Sequence, residues 1–235
     1  MNNFTVEFAG IRIGIKSRYS LMKEASASYI VESDHVDFCI EVSEEELAME
    51  KAELSEPELE ILAIYRKIAS KLWEYDAFLL HGVALDVKGD GIIFTARSGT
   101  GKSTHAVRWR KLFGKDCRCV NGDKPIIRFF DGKPYACGSS FAGKEGWQTN
   151  MKTQVKNLAF INRNAENSAE KIDRAKVLPR LMTSCHIPLE AAGRLRTYEL
   201  IGKFIENVDF WDIFCNMEPE AAKVASSKIL GVADA

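Results

Sequence analysis

The stretch "GIIFTARSGTGKSTHAVRWR", Gly91 to Arg110, decides how the rest of the chain is read. It begins as a β-like apolar run, "GIIFTA", passes through "SGTGKST", and continues as "STHAVRWRKLF", whose apolar spacing predicts a helix ending at Gly114. A glycine-rich turn between a strand and a helix forms a phosphate cradle. Its backbone N–H groups converge on an anion in front of the positive end of the helix. Gly99 and Gly101 supply the freedom the turn needs. In the GxxxxGK[ST] pattern, Lys102 reaches the outer phosphates and Ser103 faces magnesium, with Thr104 as a second hydroxyl. The expected nucleotide-binding residues are therefore Ser98, Gly99, Thr100, Gly101, Lys102, Ser103 and Thr104. Ala96 stands where the pattern opens with glycine, a replacement that is tolerable if the backbone there keeps φ below zero.

Upstream, "FLLHGVALDV", a Gly89-Asp90-Gly91 turn and "GIIFTA" read as strands, with residues 82 to 95 forming a hairpin that leads into the loop. Before it, Ser55 and Glu58 make a capping box with Pro57 in the first turn, so a helix starts there, with an apolar stripe through Leu59, Leu62, Tyr65, Ile68 and Leu72. Further upstream, "FTVEFAG" and "IRIGIKS" alternate around Gly10 and, with the less regular "ASASYIVE" and "VDFCIEVS", predict a small sheet. The acidic run from Glu41 to Glu60 reads as a solvated connector rather than a docking site. Downstream, strands are expected at "RCVNGD", "PIIRFF", "KPYACG" and "LAFIN", and helices near 174–183, 188–196 and 218–230. The chain thus divides into a small β-rich element, 1–54, and a phosphate-loop domain, 55–235.

Two further segments carry chemistry. In "CRCVNGDKPIIRFF" a strand ends at Asp123, where a nucleotide enzyme places an acid for the metal shell or for the attacking hydroxyl, although "NGDK" is also a turn by composition. The segment Ser139–Asn150, "SSFAGKEGWQTN", combines glycines with Lys144, Glu145, Trp147 and Asn150, as expected of a substrate loop or lid. His81, alone after an apolar run, reads first as a structural histidine. Arg163, Arg174 and Arg180 could close over a nucleotide, but surface arginines are common and each reads first as one.

Composition narrows the setting. Across 235 residues the formal charge is -1, which advertises neither a nucleic-acid nor a membrane surface as partner. No apolar run approaches the ~20 residues that cross a bilayer, and "MNNFTVEFAG" does not read as a signal peptide, so a cytoplasmic protein is expected. The six cysteines are scattered without a CxxC pair and read as reduced thiols. Cys185-His186 is too isolated to suggest a metal site or a nucleophile with its base.

Together, "LLHGVALDV", "IIFTARSGTGKSTHA", "VNGDKPIIR" and "GKEGWQTN", in this order, resemble the catalytic domain of the HPr kinase/phosphorylase family over approximately residues 75 to 165. The resemblance implies an α/β (α+β) fold: a mixed, β-rich nucleotide domain like that of phosphoenolpyruvate carboxykinase. It also implies phosphoryl transfer from a nucleotide to a hydroxyl, in that family a protein serine, and an active-site role for His81. Two departures stand out. Gly122 precedes Asp123 where the family carries two acids, and the family's large N-terminal domain is expected to be replaced by the short sheet and helix.

The leading expectation is a kinase that uses ATP and Mg2+ to phosphorylate a hydroxyl on a protein serine or small molecule. Lys102 and the loop backbone would hold phosphates, Ser103 and Asp123 the metal, and Asp123 with His81 the acceptor, with Lys144 and Glu145 approaching from the loop. The alternatives are a nucleotide sensor without turnover, of which Ala96 and Gly122 would be symptoms, and a small-metabolite kinase. Homo-oligomerisation is left open.

Overall fold

The computed structural model describes residues 1–50 and 53–231. Lys51 and Ala52 of the acidic run, and the last four residues of the expected kinase domain, lie outside them. Strands β1 (Asn2–Phe8) and β2 (Ile11–Ser17) form a hairpin turning at Ala9 and Gly10, both with positive φ. After α1 (Leu21–Ala25), strand β3 (Phe38–Glu41) adds to β2 in parallel, completing a three-stranded sheet. The alternation expected of β2 is borne out, with Ile11, Ile13, Ile15 and Ser17 buried on one face, whereas "ASASYIVE" is not a strand: it ends α1 and forms a 3-10 turn at Ala27–Tyr29, bridging β1 at Ile30.

The acidic run contains a short helix, α2 (Glu44–Ala48), capped by Ser43 and Glu46, and several of its glutamates are paired: Glu46 with Lys67, Glu50 with Arg66. Helix α3 (Glu56–Ala69) starts at the Ser55–Glu58 capping box. Tyr65, Ile68 and Leu72 of the expected stripe are buried, as is Ala69. The buried face of the helix runs through Glu60, Ile64, Tyr65 and Ile68, with Leu59 and Leu62 only half-buried. Glu60 is drawn inside because its carboxylate accepts hydrogen bonds from the Arg18 and Tyr19 amides at 2.7 and 3.1 Å. A buried carboxylate with two such donors is satisfied, which its residue type alone does not reveal.

The remainder is built on a curled nine-stranded sheet flanked by helices. Its elements are β4 (Ala77–Leu79), β5 (Val83–Val87), β6 (Asp90–Thr95), α4 (Lys102–Phe113), β7 (Cys117–Asn121), β8 (Ile126–Phe130), β9 (Lys133–Cys137), β10 (Lys152–Arg163), β11 (Ser168–Lys171), α5 (Leu178–Met182), α6 (Ala191–Asn207), β12 (Asp209–Cys215) and α7 (Glu220–Leu230). Strand order is β4-β8-β9-β10-β6-β5-β7, with β12 against β10 and β11 against β12. Strand β10 runs parallel to β6 and β12 and antiparallel to β9, so the sheet is mixed.

Several local expectations are corrected. "FLLHGVALDV" is two strands: β4 pairs with β8 and β5 with β6 and β7, with His81-Gly82 between them. The β5–β6 hairpin turns one residue early, at Lys88 and Gly89, both with positive φ; Asp90 and Gly91 belong to β6. Gly91 is needed there because a Cβ would lie 2.6 Å from the Gln154 carbonyl of β10. Residues 174–183 form a 3-10 turn and then the five-residue α5, with Pro179 in its first turn. Helix α6 extends well past 196, since Leu200, Ile201 and Phe204 continue its buried face. Strands β11 and β12 were not expected. Among the described residues no helix is long and apolar enough to cross a membrane.

Candidate functional site

Strand β6 leads into the glycine-rich loop 96–101, and α4 returns from it to cover the sheet. The helix is anchored by Trp109, fully buried, whose indole N–H donates to His105 Nε2 at 2.9 Å, while Phe94 packs edge-on against both rings. An indole can only donate, so His105 is an acceptor and neutral, and burial lowers its pKa to about 4. Gly99 and Gly101 have φ of +77° and +122°, conformations open to glycine and costly for other residues, while Ala96 keeps φ below zero. The N-cap of α4 is Gly101, which offers no side-chain cap, so the first-turn N–H groups are free to meet an anion. Lys102 is buried among them. Its Nζ donates to the Ala96 carbonyl at 3.0 Å, and burial lowers its pKa against the opposing charges of Asp123 and Glu145.

Facing the loop is the turn after β7. Asn121 builds it: its Oδ1 accepts from the amides of Asp123 (3.0 Å) and Lys124 (2.7 Å), and its amide donates to the Ser139 carbonyl. Asp123 is thus both a turn residue and a projecting carboxylate. The His81 Nε2 lies 3.3 Å from one of its oxygens and Lys124 Nζ 2.9 Å from the other. Burial favours the neutral acid, but hydrogen bonds and charge from His81 and Lys124 prevail and bring Asp123 down to about 2. His81 is held through its backbone, whose N–H donates to Ser184 and whose carbonyl accepts from Thr95. Lys124 was not singled out from the sequence; its place beside Asp123 in "NGDK" was the available signal.

The segment 139–150 is fixed rather than free along most of its length. Trp147 accepts from the Gly122 amide, Gln148 bridges Asn121, and Thr149 donates to the carbonyls of Cys119 and Val120. Arg110 of α4 stacks 5.2 Å from the Trp147 ring. This explains Gly122: a Cβ there would lie 3.1 Å from the Ala142 carbonyl and 3.2 Å from Trp147. A side chain at position 122 would therefore press tightly on this segment. Gly143, at φ +72°, lies against Asp123 closely enough that a Cβ would come within 2.8 Å of its Cβ.

A cavity of about 600 Å³ is lined by His81, Ser98, Gly99, Gly101, Lys102, Ser103, Thr104, Gly122, Asp123, Lys124, Gly143, Lys144 and Glu145. It gathers the site residues singled out from the sequence, with two outside it. Thr100 lies on the loop's other side, and Asn150 donates to the Ser28 carbonyl of the N-terminal region. Of the three arginines, Arg163 holds the loop itself, Arg174 pairs with Asp209, and Arg180 forks onto Asp212. Cys185 and His186 serve β4: Cys185 bridges Leu80, and the His186 amide donates to Leu79. No group of three or more His, Cys, Asp or Glu side chains among the described residues could hold a metal unaided. Magnesium needs only one or two protein oxygens beside phosphate. The Ser103 hydroxyl and the ionised Asp123, both on the cavity wall, are hard oxygens of that kind.

No protein-family model matches the chain, and no curated protein does. Among solved structures, the Hpr(Ser) kinase/phosphatase from Coxiella burnetii is similar at 11% identity with a TM-score of 0.29, covering 55% of this chain and 94% of that one.

Proposed function

We propose that the chain is a phosphotransferase of the kinase type, moving a phosphoryl group from ATP to a hydroxyl with Mg2+. The observation that carries this reading is one cavity in which an uncapped helix N-terminus and a buried lysine face an ionised aspartate flanked by a histidine and a lysine. Phosphoryl transfer is chiefly positioning and charge neutralisation, which this set of groups supplies. Lys102 would exchange the Ala96 carbonyl for phosphate oxygens, and the loop N–H groups would cradle the phosphates. Magnesium, held from Ser103 and Asp123, would neutralise phosphate charge.

Asp123 at about 2 is a poor proton acceptor at neutral pH, so its role is to orient the acceptor hydroxyl and hold charge rather than to act as a strong base. An ionised carboxylate only accepts hydrogen bonds, so His81 Nε2 carries the hydrogen toward it. From beside Asp123, His81 would assist with the acceptor proton. Lys144 and Glu145, exposed at the rim, would meet the acceptor. A serine-type acceptor and a phosphoenolpyruvate carboxykinase-like arrangement of the fold are what the sequence resemblance adds. The tight space beside Gly122 gives that position a packing reason as well, so it does not by itself favour a sensor without turnover.

Calorimetry with ATP and magnesium, paired with labelled-phosphate transfer to serine peptides and small hydroxy compounds, tests the reading. Lys102→Ala is expected to abolish measurable nucleotide binding. Asp123→Asn should keep the fold and lower transfer by about a hundredfold or more. Transfer indifferent to Asp123→Asn would sink the mechanism, and tight binding with no transfer to any acceptor would favour the sensor.

A further inference from the structure

The phosphate loop is held from outside as well as from within. Arg163, the last residue of β10, donates from Nε to the Thr100 carbonyl at 3.1 Å and from its guanidinium to the Gly99 carbonyl. Among the described residues it has no carboxylate within ion-pair distance, so its two hydrogen bonds are to consecutive carbonyls of the loop. In a trans peptide the C=O of one residue and the N–H of the next point in opposite directions. Drawing the Gly99 and Thr100 carbonyls outward turns the Thr100 and Gly101 amides the other way. Thr100 N–H closes a turn onto the Arg97 carbonyl, and by the same geometry Gly101 N–H is turned away from Arg163. The planar fork suits this task because its two N–H groups are rigidly spaced, whereas an ammonium is a single point of charge.

We infer that Arg163 is a positioning residue: a strap that pre-organises the phosphate loop by fixing its outward carbonyls, so that the cradle exists before any anion arrives. The inference rests on the phosphate-binding reading for its consequence in affinity, but not for its consequence in the free protein. The device is tertiary. Strand β10 lies parallel to β6, from which the loop leaves, and the last β10–β6 pair is Phe160 with Thr95, which brings Arg163 level with the loop. The rival role is a direct contact with the nucleoside, since Arg163 also borders a cavity of about 530 Å³ on the loop's outer side with Thr100, His105 and Arg108.

Two measurements on Arg163→Ala and Arg163→Lys decide it. In the ligand-free protein, hydrogen exchange of the amides from Gly99 to Thr104 should accelerate in Arg163→Ala, with partial recovery in Arg163→Lys. Unchanged exchange there would overturn the strap. By calorimetry with magnesium, Arg163→Ala should weaken ATP, ADP and pyrophosphate alike, by about tenfold. A loss confined to ATP and ADP, with pyrophosphate unaffected, would overturn the strap in favour of a nucleoside contact. If the wild-type protein binds none of the three, the phosphate-binding reading fails, while the exchange result still decides the strap.

Discussion

Burial of Asp123 favours its neutral acid, and His81 and Lys124 together overcome that preference, lowering its pKa from 3.8 to about 2. A depressed folded-state pKa contributes stability that is complete above the unfolded value and is lost as pH falls through the folded one. The window is therefore about pH 4 to pH 2, and the full contribution is about 2 kcal/mol. In urea denaturation, the stability difference between wild type and Asp123→Asn is expected to be flat above about pH 5 and to have shrunk by about 1 kcal/mol at pH 3. A difference independent of pH would show that His81 and Lys124 do not hold the carboxylate. The groups facing it are His81, Lys124, Lys102 and Tyr65, and the last two have their own pKa values shifted by burial and by the Asp123 charge. Asp123 and Lys102 were legible in the sequence because strand-end acids and GKS triplets are short patterns. Lys124 was not, because its role depends on which way a turn projects it.

The 139–150 segment places its Gly143–Gly146 tip over the cavity by being stitched along β7 and by passing Gly143 against Asp123. Gly143→Ala combines a left-handed backbone with a Cβ 2.8 Å from the Asp123 Cβ, so the tip or the carboxylate must move. A destabilisation of about 1–2 kcal/mol is expected in chemical denaturation, accompanied by a loss of phosphoryl transfer disproportionate to it. Normal transfer in a folded Gly143→Ala protein would separate the tip from the chemistry. From sequence the segment reads as a substrate loop or lid because its glycines, lysine and aromatic are more than a connector needs. It is instead mostly anchored, because Trp147, Gln148 and Thr149 find partners on a strand and helix that sequence spacing does not reveal.

At the scale of the molecule, the N-terminal sheet, α3, β8 and the start of the 139–150 segment share one apolar cluster, from Phe8 and Ile13 through Ile64 and Ile68 to Ile126 and Phe141. Phe141 links these parts, packing edge-on against Phe8 and Tyr65 near the start of the 139–150 segment. Phe141→Ala should cost about 3–5 kcal/mol, read from the urea midpoint, and should lower nucleotide-dependent transfer along with stability; a cost below about 1 kcal/mol would mean that the cluster closes over the gap. The α3 cap, the strand alternation of β1 and β2 and the glycine-rich turn between β6 and α4 were determined by the sequence alone, since capping, turn chemistry and apolar alternation depend on residues a few positions apart. Only the tertiary structure decided the pairing of β6 with β10, the meeting of His81 with Asp123, the burial of Glu60, the filling of the space beside Gly122 and the reach of Arg163 to the loop. Each of these depends on groups brought together from distant parts of the chain, where desolvation and steric fit are set by neighbours that no local pattern names.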